Sequence, residues 1–197
     1  MGQDNVATDP LDAERARLFA LLGRLLGAPP DAALLGGLRS LRGGPGEVGE
    51  AYAALAAAAT STTAEAVDRE FFDLFIGVGR GELLPYASYY LTGFLHERPL
   101  AELRGDLARL GVARAEGVAE PEDHIAFLCE TFTGLIAGNF AAEPDEAGAF
   151  FARHMRPWAV RFFTDLEAAD AARFYRAVGR LGRLAVDLES AAADLPA

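Results

Sequence analysis

Lysine is missing altogether from this 197-residue chain: all 18 of its basic residues are arginine. Set against 29 acidic residues they leave a formal net charge of −11. That balance excludes a nucleic-acid backbone as ligand, because affinity for phosphodiesters comes from clustered cations and the counterions they release. The arginine-only usage accompanies a richness in Ala and Gly, so it reads as a compositional habit without a function of its own. A single cysteine, Cys129, excludes an internal disulfide, and its place within an apolar helical pattern marks it as a small core residue. No apolar run approaches the ~18 residues that a membrane-spanning helix needs. The opening "MGQDNVATDPLDAERARLF" carries acids where a secretory signal has a basic region, and it lacks Ser or Thr at position 6, as a myristoylation signal requires. The expectation is a soluble, cytoplasmic protein without an integral membrane segment.

What is present is apolar and helical. At 51% hydrophobic and 24% charged, with mean hydropathy +0.13, the chain has enough apolar residues for one buried core. One domain over residues 1–197 is expected, with a hinge allowed near 77–90. Asp9-Pro10 places a cap before a proline, and Leu18, Phe19, Leu21, Leu22, Leu25 and Leu26 supply a wide stripe up to Gly27. Further helices are expected over Asp31–Leu41 and Val48–Ala59. Another opens at Thr62 with Glu65 in capping-box spacing and runs to Gly77. "GVGRGELLPYASYY", residues 77–90, is too rich in glycine for a helix and reads as the long central loop. Pro99 to Leu110 is helical up to Gly111. "EPEDH" then begins the next helix, with Pro121 at its first position, Glu122 and Asp123 in its first turn, and Ile125, Leu128, Phe132, Leu135 and Ile136 along its apolar face. Helices from Glu143-Pro144, from Pro157 and from Ala171 to Leu188 complete an all-α protein of about eight to ten helices without strand-like alternation.

Few patterns carry chemistry. Gly77, Gly79 and Gly81 follow a helix instead of a strand and precede no Walker lysine, so they read as a helix stop and a flexible loop, not a nucleotide fingerprint. "EPEDH" lacks metal-ligand spacing, and His96 and His154 lie in unrelated segments. Asp123 and His124 could form an acid/base or orienting pair, yet no Ser or Cys elbow accompanies them. A capped helix start with solvated acids, or the rim of a binding groove, both fit the motif. Trp158, Phe162 and Phe163 read as core.

"EPEDH", the preceding "EFFDLFIG" and "PYASYY", and the later "HMRPWAVRFF" and "FYRAVGRLGRLA" resemble, in order over roughly residues 65–190, the TorD/DmsD group of redox-enzyme maturation chaperones. NarJ-type proteins are more distant relatives of that group. The resemblance implies an all-helical cytoplasmic chaperone that binds the twin-arginine leader, and often the body, of a molybdopterin-containing oxidoreductase catalytic subunit. Such a chaperone holds its client back from export until cofactor insertion is complete. It implies no catalysis and no cofactor; weak guanine nucleotide binding occurs in some members, and the residues here leave it open, as they leave monomer and homodimer. Leader-site residues carried over from the family are Phe71, Leu74 and Phe75; Pro85, Tyr86 and Ser88; and Asp123 with His124. Several relatives have tryptophan at the positions of Phe71 and Tyr86, so the pocket floor differs. Independently, Glu120, Glu122 and Asp123 beside aromatics would supply the acids and the apolar trough that a cationic, apolar leader needs. A non-catalytic helical scaffold without leader binding, and a hydrolytic or nucleotide-binding enzyme built on Asp123 and His124, are the alternative readings.

Overall fold

The helix signals translate into a computed structural model that describes residues 9–114, 120–140, 142–143 and 145–194. Asp9 caps α1 (Pro10–Gly27), its carboxylate accepting the Leu11 N–H at 2.9 Å. Then follow α2 (Ala32–Arg39), capped by Asp31, and α3 (Gly46–Thr60). The next helix, α4 (Ala64–Phe71), is capped by Thr63, whose hydroxyl accepts the Ala66 N–H. The expected cap, Thr62, sits one residue too early, and its carbonyl instead accepts from Arg39. The remaining helices are α5 (Ala87–Thr92), α6 (Arg98–Arg109), α7 (Ile125–Ile136), α8 (Glu146–Phe150), α9 (Ala159–Ala168) and α10 (Phe174–Ala193). Ten α-helices and no strand among the described residues make the fold all-α, as expected. The helix expected from Glu143-Pro144 starts at Glu146, and Pro144 itself lies outside the described residues.

Two helices end in widened π turns: α4 runs into Phe72–Ile76, and α8 into Phe151–Met155. A π turn frees carbonyls and re-aims the side chains that follow. After the first, Gly77 turns with φ 61°, a conformation costly for any residue with a Cβ. The chain then doubles back, Glu82 and Leu83 donating their N–H groups to the carbonyls of Asp73 and Leu74 at 3.1 and 2.8 Å. The central loop is therefore hydrogen-bonded to the helix before it.

The core forms where α1 packs on α7 and α10 packs on α9 and α3. Phe19 meets Phe132 edge to face at 4.8 Å. Trp158, Phe162 and Phe163 are buried, as is Cys129, whose thiol burial pushes toward the neutral form. Each fully buried side chain of this size contributes ~1.5–3 kcal/mol by leaving water. The helices α9 and α10 approach closely at Gly182, where a Cβ would stand 2.1 Å from the Phe163 ring. No helix of the described residues is long and apolar enough to cross a membrane.

Candidate functional site

"EPEDH" does not begin a helix. Residues 121–123 form a turn, and His124 is the N-cap of α7, its Nδ1 accepting the Ala126 N–H at 3.1 Å. Glu122 and Asp123 thus lie before the first turn in which they were expected. The reason is tertiary. Asp123 turns its carboxylate away from its own helix and accepts the Ser88 N–H at 2.8 Å, capping α5 from a distant part of the chain. Its carbonyl accepts the Ala87 N–H at 3.0 Å, and the Ile125 N–H is donated to the Pro85 carbonyl at 2.9 Å. These bonds frame an isolated antiparallel bridge between Tyr86 and His124. They also explain why "ASYYLT", expected within a loop reaching Tyr90, is helical: a remote carboxylate supplies the cap that the local sequence lacks.

The bridge sets two aromatic rings at the mouth of a groove of about 550 Å³. Tyr86 and His124 meet edge to face at 5.1 Å. The groove is walled by Leu26 of α1, by Phe71, Phe75 and Ile76 around the π turn, by Pro85 and Tyr86, by Glu120 and Pro121, and by His124, Phe127 and Glu130 of α7, with Arg114 at its edge. Phe71 and Phe75 contact one another at 5.0 Å and rest on Tyr175 at 5.9 and 5.4 Å. Tyr175 is buried and donates its hydroxyl to the Leu25 carbonyl at 2.9 Å. A second remote carboxylate fixes that floor: Glu70, buried, accepts the N–H groups of Arg173, Phe174 and Tyr175 at 2.8, 3.1 and 2.7 Å. Those are donors that the first turn of α10 leaves without helical partners.

Electrostatics divide along the groove. The Tyr86 hydroxyl donates to Glu120, and burial, reinforced by that carboxylate, pushes the phenol's pKa up, so the hydroxyl stays protonated. Burial also drives His124 down to about 4, outweighing the raising influence of Glu120 and Asp123, so its ring is neutral near pH 7. A neutral ring is what the Nδ1 acceptor bond to Ala126 requires. Among the described residues no group of three or more His, Cys, Asp or Glu side chains could hold a metal ion.

Of the residues carried over from the sequence, Phe71, Phe75, Pro85, Tyr86, Glu120 and His124 line the groove together. Leu74, Ser88 and Asp123 are buried beneath it, at 0%, 0% and 1% exposure. A ligand in the groove would not touch them; Ser88 and Asp123 hold its wall. Glu122 faces elsewhere and pairs with Arg104 at 2.8 Å. Asp123 and His124 each bond to backbone elsewhere, so the expected orienting hydrogen bond between them is replaced by two separate caps. The sequence reading missed Leu26, Ile76, Phe127 and Glu130. Phe127 and Glu130 could have been found, since steps of three from His124 along α7 share its face; Tyr175 had no local signal.

The fold and groove define an all-helical protein with an apolar cleft edged by acids. Residues 43–164 match the family described as nitrate reductase delta subunit, and the chain belongs to that family. It is similar to the chaperone protein TorD of Aliivibrio fischeri, 31% identical over 119 residues, 55% of each chain. It is likewise similar to that of Vibrio cholerae, 31% identical over 121 residues, 57% of this chain and 55% of the relative. The chain spans about half the length of the curated relatives it matches. These matches uphold the resemblance to the TorD group. A crystal structure from Archaeoglobus fulgidus, described as that of a candidate redox enzyme maturation protein, superposes with a TM-score of 0.59. It covers 94% of this chain and 99% of its own at 18% identity, a likeness of fold alone.

Proposed function

We propose that this protein is a maturation chaperone that binds the twin-arginine leader of a molybdopterin-containing oxidoreductase catalytic subunit and holds the client until its cofactor is inserted. The reading is supported by the family, by the naming of its relatives as chaperones, and above all by one observation. The groove joins an aromatic and aliphatic trough to carboxylates at Glu120 and Glu130. A leader with adjacent cations followed by an apolar segment is complementary to that arrangement. The apolar part should dominate affinity, since a buried Leu or Phe contributes ~1.5–3 kcal/mol and an exposed ion pair ~0–1 kcal/mol. The arginines then set register and association rate.

Calorimetric titration with leader peptides tests this. Thinning the apolar segment to alanine should weaken binding more than replacing Arg-Arg by Lys-Lys, and the opposite order would overturn the division of labour. No binding of any of several such leaders would favour the scaffold reading. Catalysis by Asp123 and His124 is not proposed, because both side chains serve as helix caps and Asp123 is buried beneath the groove, where a substrate would not reach it.

A further inference from the structure

The loop that supplies Pro85 and Tyr86 to the groove also contributes to a second cavity, of about 360 Å³, bounded by Arg80 and Leu84, by Tyr89 and Tyr90 of α5, and by Arg161 and Asp165 of α9. Its volume lies within the ~300–1,000 Å³ usual for small-molecule sites. Arg80 lies over Tyr89, its Cζ 5.5 Å from the ring centroid, and donates to the Tyr89 hydroxyl at 3.1 Å. Arg161 lies over Tyr90 at 5.6 Å. Each ring attracts its guanidinium as a cation over an aromatic face and leaves further N–H donors for a ligand. Among the described residues neither arginine has a carboxylate ion-pair partner, although acids outnumber arginines in the chain.

The acids at the cavity are committed. Glu82 accepts the N–H groups of Asp170 and Ala171 at 2.7 and 3.0 Å. Asp165 accepts the Tyr90 hydroxyl at 3.0 Å. Both carboxylates keep their charge but are held by these donors, which leaves the guanidinium N–H groups as the donors a ligand can use. We propose that this cavity binds a compact dianionic oxyanion, a phosphate or a small dicarboxylate, between the guanidinium edges of Arg80 and Arg161. Paired arginines suit such ligands because their N–H groups match two oxygens at once. The proposal stands apart from leader binding.

Trp158, the single tryptophan, has its ring 5.4 Å from that of Tyr90, so its fluorescence reports on the cavity. The full chain would be titrated with inorganic phosphate and, separately, with succinate, against sodium chloride at matched ionic strength. Calorimetry would run alongside. A saturable response to one or both anions is expected, with half-saturation below about 10 mM. Arg80→Gln and Arg161→Gln should each weaken it about tenfold or more. Arg42→Gln, which removes an exposed arginine between α2 and α3, should leave it unchanged. Response to phosphate alone or to succinate alone identifies which oxyanion the site takes. No saturable signal with either anion by either method, or an equal loss in Arg42→Gln, would overturn the proposal.

Discussion

The groove and the arginine cavity are fed by the same loop, yet they use charge in opposite ways. At the groove, Glu120 and Glu130 face the opening, while the carboxylates of Glu70 and Asp123 are buried behind its walls as caps for α10 and α5. At the cavity the acids Glu82 and Asp165 accept hydrogen bonds from the protein, and Arg80 and Arg161 lie over tyrosine rings. The contrast teaches that residue type alone does not mark a binding group. A carboxylate that satisfies backbone N–H groups is part of the scaffold, and what remains at the opening decides the sign of the ligand.

Breaking the scaffold should have the largest effect. Glu70→Ala leaves three N–H groups at the start of α10 without their acceptor and should cost about 2–4 kcal/mol in urea unfolding. Glu70→Gln, which keeps an acceptor oxygen, should recover part of that. Next comes Asp123→Ala, which uncaps α5 and should cost ~1–3 kcal/mol and weaken leader binding through Tyr86. Asp123→Asn retains the acceptor and should retain most of both. If Asn and Ala weaken leader binding equally while differing in stability, Asp123 acts by its charge and the positioning role fails.

The pH profile tests the groove region more finely. His124 is held at about 4, against ~6.5 in an unfolded chain. The unfolded state therefore binds the extra proton first, and stability is fullest above about 6.5 and falls as pH drops toward 4. His124→Gln should flatten that slope in equilibrium unfolding. A residual slope should persist from His154, which burial also holds below its usual value. The smallest effect is expected at the Arg104–Glu122 pair: Arg104→Gln removes an exposed ion pair and should leave the urea midpoint and leader affinity essentially unchanged, since Glu122 does not line the groove.

Much of this was legible because helices are local. Asp9-Pro10, Asp31, Gly111 and the stripe from Ile125 to Leu135 announce their elements through neighbours three or four residues away. The aromatic wall was reached through the family resemblance, which supplied Phe71 and Phe75, and in the structure their rings contact one another. Hidden from such reasoning were the remote caps: Asp123 on Ser88, Glu70 on Tyr175 and Glu82 on Asp170 join residues far apart in sequence. The Asp123 cap also accompanies the start of α7 at Ile125 instead of Pro121 and the helix at "ASYYLT". Nor could local pattern distinguish Glu120, at the groove, from Glu122 and Asp123, which are not.

The most direct test is one titration of a molybdoenzyme leader peptide into three proteins: the native chain, Phe75→Ala and Arg161→Gln. The account predicts micromolar or tighter binding to the native chain and to Arg161→Gln, and about tenfold or greater weakening in a folded Phe75→Ala. Undiminished binding to Phe75→Ala, or an equal loss in Arg161→Gln, would place the leader outside the groove and contradict it.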